Sequence, residues 1–196
     1  MRLLTGLVLF GLALALLVHA DLGLDPWTVF SSGVSQHLGL TLGQVTVASS
    51  VAVLLLWIPL RQRPGLGTVA NALVVGPVLD VGVALLPSPH QLVVRVVFLV
   101  LGLVLVALGT GLYVGAGWGP GPRDGLMTGL VQLGAPLYLA RTMIEGTVLV
   151  VGWLLGGAVG VATVVFALAV GPMVGAALPR LTLPPSPARE DPGHDR

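Results

Sequence analysis

Between Leu3 and Leu178 the chain reads as six apolar runs, each long enough to cross the ~30 Å hydrocarbon core of a bilayer as a helix. Turns and short segments carrying Gly, Pro and charge separate them. That pattern dictates an all-α polytopic membrane protein, because a backbone inside lipid must satisfy its own hydrogen bonds. Charged residues make up 9% of the sequence, against about 25% in a soluble domain. Six spans use most of the 196 residues and leave no room among them for a soluble domain. With no Cys, disulfides and thiolate chemistry are excluded, and a net charge of +1 gives no reason to expect nucleic acid as a partner.

The spans are predicted at Leu3–Ala20, Leu42–Leu60, Leu66–Leu86, Val93–Gly115, Leu137–Leu155 and Val159–Leu178. The first is read as a span rather than a cleaved leader, since a similar run recurs in mid-chain. Two further segments, Trp27–Leu38 and Arg123–Leu133, are too short to span. Each follows a Gly/Pro turn and is expected to re-enter the membrane or to lie at its surface.

These elements fall into two matched series. An offset of 95 or 96 residues brings Gly23 onto Gly119, Pro26 onto Pro122, Gly33 onto Gly129, Trp57 onto Trp153, Thr68 onto Thr163 and Gly76-Pro77 onto Gly171-Pro172. We read residues 1–87 and 92–180 as two membrane repeats joined by 88–91, with a disordered cytoplasmic tail over 181–196. Three spans per repeat is an odd number, so the second copy enters from the opposite side, as an inverted-topology repeat. With both termini cytoplasmic, Arg2, Arg61, Arg63, Arg123, Arg141, Arg180, Arg189 and Arg196 fall inside and only Arg95 outside.

Ionisable residues within such a chain cost about 2.5–3.5 kcal/mol each at a span centre and so need a reason to be there. The candidate substrate-binding residues are Asp25, Arg123, Asp124 and Glu145, with Asp80 and Arg141 as second choices. Asp25-Pro26 has the form of an N-cap followed by Pro at N1, which is an alternative reading of Asp25. Gly121-Pro122 takes those positions in the second copy and leaves Arg123 at N2, at the repulsive end of its helix dipole. Arg123 must therefore pair elsewhere or reach a ligand. Arg141 and Glu145, four apart, share a helix face and form either a structural ion pair or a proton or cation site. Two re-entrant N-termini meeting near the midplane would, with Arg123, attract an anion; the nearby carboxylates suit a mixed site. Asp80 stands alone, and Asn71 is expected on the opposite face of its helix. No His grouping has metal-ligand spacing, so no metal or other cofactor is expected. Nor is a nucleophile–base pair visible, so the chain is read as not an enzyme. Paired glycines (Gly111/Gly115, Gly125/Gly129, Gly152/Gly156, Gly171/Gly175) suit close helix contact, within the monomer or, for one of them, in a homodimer.

The segments Leu22-Gly23-Leu24-Asp25-Pro26-Trp27, Arg61-Gln62-Arg63-Pro64-Gly65-Leu66-Gly67-Thr68 and Gly119-Pro120-Gly121-Pro122-Arg123-Asp124-Gly125-Leu126-Met127-Thr128-Gly129 resemble the YczE/YitT-type bacterial integral membrane proteins. The resemblance covers about residues 1–180 and implies a multi-pass protein of the bacterial cytoplasmic membrane; it carries over no catalytic residue. The function expected is transport or binding of a small polar or anionic solute, or a proton, at the repeat interface. A non-transporting partner or assembly factor for another membrane or secretory system is the alternative.

Overall fold

A computed structural model of the chain describes residues 1–182; the rest of the tail expected to be disordered, with Arg189 and Arg196, lies outside the described residues. Eight helices follow in order: α1 (Arg2–Ala20), α2 (Pro26–Leu38), α3 (Leu42–Leu56), α4 (Leu66–Leu85), α5 (Leu92–Gly115), α6 (Pro122–Gln132), α7 (Leu137–Leu154) and α8 (Val161–Leu181). No strand occurs among the described residues. Five helices, α1, α4, α5, α7 and α8, are long and apolar enough to cross a membrane. A sixth span is available only if α2 and α3, bent by 112° at their junction, count together. The second span is shorter than its apolar run, because the chain turns at Trp57–Leu60.

Local chemistry sets these boundaries. Asp25 caps α2 by accepting from the Thr28 backbone N–H at 3.2 Å, with Pro26 at N1. Thr41 and Gln44 form a reciprocal capping box at the start of α3. Gly23 and Gly119 adopt φ of 111° and 112°, the left-handed region where a side chain is strained, and each turns the chain into a short helix.

α1 forms the centre of the bundle, packed on α4 and α5; α5 packs in turn on α8, and α3 on α4. Leu7, Ala13, Leu14, Ala15 and Leu17 of α1 are shut away from the surface with Val75, Leu79, Leu103 and Val106. Apolar side chains such as Val100, Leu108, Val161 and Leu168 are exposed on the outside, as a lipid-facing surface requires. Arg95, at the start of α5, donates to the Ala20 carbonyl at 2.7 Å and pairs with Asp21 at 2.8 Å, tying α5 to the end of α1.

Two sets of end contacts repeat at matching positions. The Gly67 N–H donates to Trp118 O at 2.8 Å, placing the start of α4 against the α5–α6 turn. The Ala162 N–H donates to Leu22 O at 2.8 Å, placing the start of α8 against the α1–α2 turn. The Thr68 hydroxyl accepts from the Gly65 N–H at 3.2 Å, and Thr163 accepts from the Gly160 N–H at the same distance. Of the paired glycines, Gly111 and Gly115 meet Leu181, Gly125 meets Trp57, Gly129 meets Leu60 and Gly152 meets the Phe30 backbone; Gly175 faces open space.

Candidate functional site

The short helices enter the bundle by their first turns, while residues 36–38 of α2 and 131–132 of α6 are exposed. Asp25 to Val29 of α2 are buried, as are Pro122, Gly125 and Met127 of α6. Their opposite ends lie apart: Gln36 of α2 donates to Gly156 O just past α7, and Gln132 of α6 meets Gln62 just past α3. The first turns of α2 and α6 meet in the interior. There the Arg123 guanidinium lies 4.8 Å from the centre of the Trp27 ring, and its Nη1 is 3.9 Å from Asp25 Oδ2. The cation at the unfavourable helix end thus gains both a carboxylate and an aromatic face.

A cavity of about 170 Å³ opens beside this junction. It is bordered by α1 to α8 and takes in Asp25, Arg123, Asp124, Arg141 and Glu145. Asp124 accepts from the Tyr113 hydroxyl at 3.0 Å. Arg141 Nε donates to Glu145 Oε1 at 3.0 Å, the i,i+4 pair expected on α7. Asn71, Thr46, Ser50 and Thr110 add uncharged polar side chains, while Phe10, Val106, Phe166 and Val170 supply apolar wall. Pockets with an apolar lining and a few convergent polar groups are the usual form of a small-molecule site.

Five of the six ionisable candidates are therefore brought together, and Asp80 is not. Its carboxylate accepts from the Gly43 N–H at 2.7 Å and from the Thr41 hydroxyl, so it satisfies the start of α3 outside this cavity. Asn71, nine positions earlier on α4, faces the cavity instead, as opposite faces of one helix require. Asp25 is both things the sequence left open: it caps α2, and it lines the cavity. Tyr113 and Trp27 were not legible as site residues, because a lone aromatic in an apolar run reads as packing. Their signal is position, Tyr113 near the end of α5 and Trp27 at N2 of α2, at an offset of 96 from Arg123.

One side of the cavity is loosely built. α3 and α4 pack directly, but α7 and α8 make no comparable contact. Arg141 projects across that gap, and a Cβ added to Gly171 of α8 would lie 3.8 Å from its Nη1. Among the described residues no three acid or His side chains gather to hold a metal ion.

Residues 1–179 match the model of a family of unknown function, DUF6198. The chain is similar to an uncharacterized protein of Haemophilus influenzae, 39% identical over 173 residues that cover 88% of this chain and 79% of the relative. The uncharacterized membrane protein YczE of Bacillus subtilis is 30% identical over 178 residues, covering 89% of this chain and 83% of its own length. The uncharacterized protein YyaS of the same organism is 27% identical over 163 residues, 81% of each chain. No solved structure matches.

Proposed function

We propose, for a chain that belongs to the family DUF6198 and to the YczE type of multi-pass membrane protein, that the central cavity binds a small polar solute and moves it across the bilayer. One observation carries this reading: charged residues far apart in sequence, Asp25 on one short helix and Arg123 and Asp124 on the other, meet with Arg141 and Glu145 around a single cavity. Charges so costly to place in a membrane protein mark solute or proton pathways.

The matched end contacts of α4 and α8 support two related halves, and their orientation is inverted if the 15-residue α3 crosses the membrane by itself as the counterpart of α7. In that arrangement α2 and α6 re-enter from opposite faces of the bacterial cytoplasmic membrane, with both chain termini inside. Their N-termini then meet near the midplane, where secondary transporters hold their substrates. The contacts that the charged side chains make are ion pairs and hydrogen bonds, which supports a site that binds its ligand rather than transforming it.

The Cys-free sequence makes the test direct. Thr110→Cys, lining the cavity, is expected to react with a small membrane-impermeant thiol reagent from one side of the membrane. Val100→Cys, on the exposed face of α5, serves as the lipid-facing control. Equal labelling of the two would remove the aqueous cavity and favour a non-transporting partner protein. Given access, a solute screen by thermal unfolding is expected to find a stabilising compound whose effect Arg123→Ala abolishes.

A further inference from the structure

We infer that the solute carries an oxyanion, a carboxylate or a phosphate group, held by Arg123 with Arg141; this rests on the binding role proposed above for the cavity. A guanidinium offers five N–H donors in a planar fork. Among the described residues Arg123 makes no hydrogen bond. It lies against the Trp27 ring, and Asp25 Oδ2 stands 3.9 Å from its Nη1, an ion-pair separation beyond hydrogen-bond reach. Arg141 uses only Nε, on Glu145 Oε1, which leaves both of its terminal nitrogens without a hydrogen bond. Asn71 makes none either, and its amide nitrogen would lie 3.5 Å from a Cβ added to Gly121, beside the first turn of α6. Donors that no group of the chain accepts, on the wall of one cavity, call for a ligand that brings acceptors.

The carboxylates on the same wall are turned to the chain instead. Asp25 caps α2, Asp124 accepts from the Tyr113 hydroxyl, and Glu145 accepts from Arg141. In each ion pair the cation is the more open member: the Arg123 side chain is 18% exposed against 4% for Asp25, and Arg141 43% against 25% for Glu145. Counting Asp25, Asp124 and Glu145 against the two guanidinium groups leaves a formal balance of one negative charge. The positive ends of the α2 and α6 dipoles offset up to about one unit of it within their first turns. Residues Gly121 to Asp124 of α6 border the cavity, and Gly121 supplies no side-chain cap to that helix end. Overall charge thus comes close to neutral, and the unused hydrogen-bonding capacity decides what fits.

An oxyanion answers that capacity better than a neutral acceptor or a halide. Two oxygens on one carboxylate or phosphate can each take an N–H of the same guanidinium, in the parallel pairing that the fork is shaped for. A neutral amide brings one carbonyl oxygen, and hydrogen bonds of this charge-assisted kind are about twice as strong as neutral ones. A halide has no pair of atoms to match the fork.

Protection of a cavity cysteine by small solutes tests this. The Thr110→Cys protein is labelled with the impermeant thiol reagent in the presence of sodium acetate, sodium methyl phosphate or acetamide, each balanced with sodium chloride to one ionic strength. At least one of the two oxyanions is expected to slow labelling, about fivefold at about four times its dissociation constant. Acetate alone would mark a carboxylate and methyl phosphate alone a phosphate, and either supports the proposal. Acetamide, the neutral counterpart of acetate, is expected to leave the rate as chloride alone does. This comparison needs no change at either arginine. In the second arm Arg123→Gln is expected to abolish the protection and Arg141→Gln to weaken it. Arg95→Gln, which removes the same charge where α5 meets the end of α1, is expected to keep it. Equal protection by acetamide, no protection by either oxyanion, or protection unchanged in Arg123→Gln would overturn the assignment while leaving a solute cavity standing. If the folded Thr110→Cys protein is not labelled at all, the cavity reading fails as well.

Discussion

Replacing Gly125 by Ala puts a methyl group where the structure already holds a ring. The added Cβ would lie 1.9 Å from Cζ2 and 2.3 Å from Cη2 of Trp57, far inside van der Waals contact. Trp57 is 2% exposed and its indole N–H donates to Pro122 O at 3.0 Å, so the ring cannot step aside without giving up that bond. Overpacking of this kind costs about 1–3 kcal/mol and the hydrogen bond about 0.5–1.5. The better helix propensity of Ala returns about 1 kcal/mol. The expected net loss is about 0.5–3.5 kcal/mol, read as a lower midpoint of unfolding followed by tryptophan fluorescence in detergent. A double-mutant cycle isolates the cause. In a Trp57→Leu background the ring atoms are gone, so Gly125→Ala should become neutral or stabilise by up to about 1 kcal/mol. If Gly125→Ala is neutral with Trp57 present, or costs the same without it, the ring does not hold α6 in place and the reasoning is wrong.

Thr68→Val keeps the shape of a fully buried side chain but removes its 2.7 Å bond to Pro120 O and its acceptance from Gly65, and is expected to cost about 1–3 kcal/mol in the same unfolding assay. Asp80→Asn weakens the start of α3 and is expected to lower stability by about 0.5–2 kcal/mol in that assay. Gly152→Ala drives a methyl to 2.5 Å from the Phe30 backbone, which cannot rotate away as a side chain can, and should separate α2 from α7 with loss of monodisperse protein on size exclusion. Gly175→Ala meets nothing within 4 Å and is expected to be neutral or stabilising by up to about 1 kcal/mol; a marked loss would mean that a second chain packs there.

Helix positions were legible because a membrane helix announces itself by length of apolar run and by its turn residues. Most predicted ends fall within a few residues of the observed ones: Asp25-Pro26 and Gly121-Pro122 open α2 and α6 as their capping chemistry requires. The second span is the exception. Apolar content continues to Leu60, but Trp57 turns inward against Gly125, and the turn that follows, Ile58-Pro59-Leu60, is as apolar as a helix. The candidate site was legible through cost, since charges that cannot be left in lipid must meet something. Asp80 met that demand by capping α3, a role a single sequence does not distinguish from lining a cavity. Asn71, Thr110 and Tyr113 stayed hidden because hydroxyl, amide and phenol groups are cheap enough in a bundle to need no special partner.

Where the two halves differ is as informative as where they agree. α3 and α4 cross at glycines: a Cβ on Gly43 would lie 2.2 Å from Gly76 O, and Asp80 reaches the Gly43 N–H one turn on. The same offset that aligns the halves places Leu139, Gly171 and Gly175 at those positions. Leu139 has the bulk that Gly43 lacks, and Gly175 has no carboxylate to offer the start of α7. The close crossing therefore cannot form in the second half. α7 stands off from α8 and buries only Ala140 and Gly152, against five residues of α3. Arg141 and Glu145 occupy the space that results and become the cavity's polar wall on that side. The looser contact of α7 with α8, where α3 and α4 cross closely at glycines, is what leaves room for these two side chains beside the cavity.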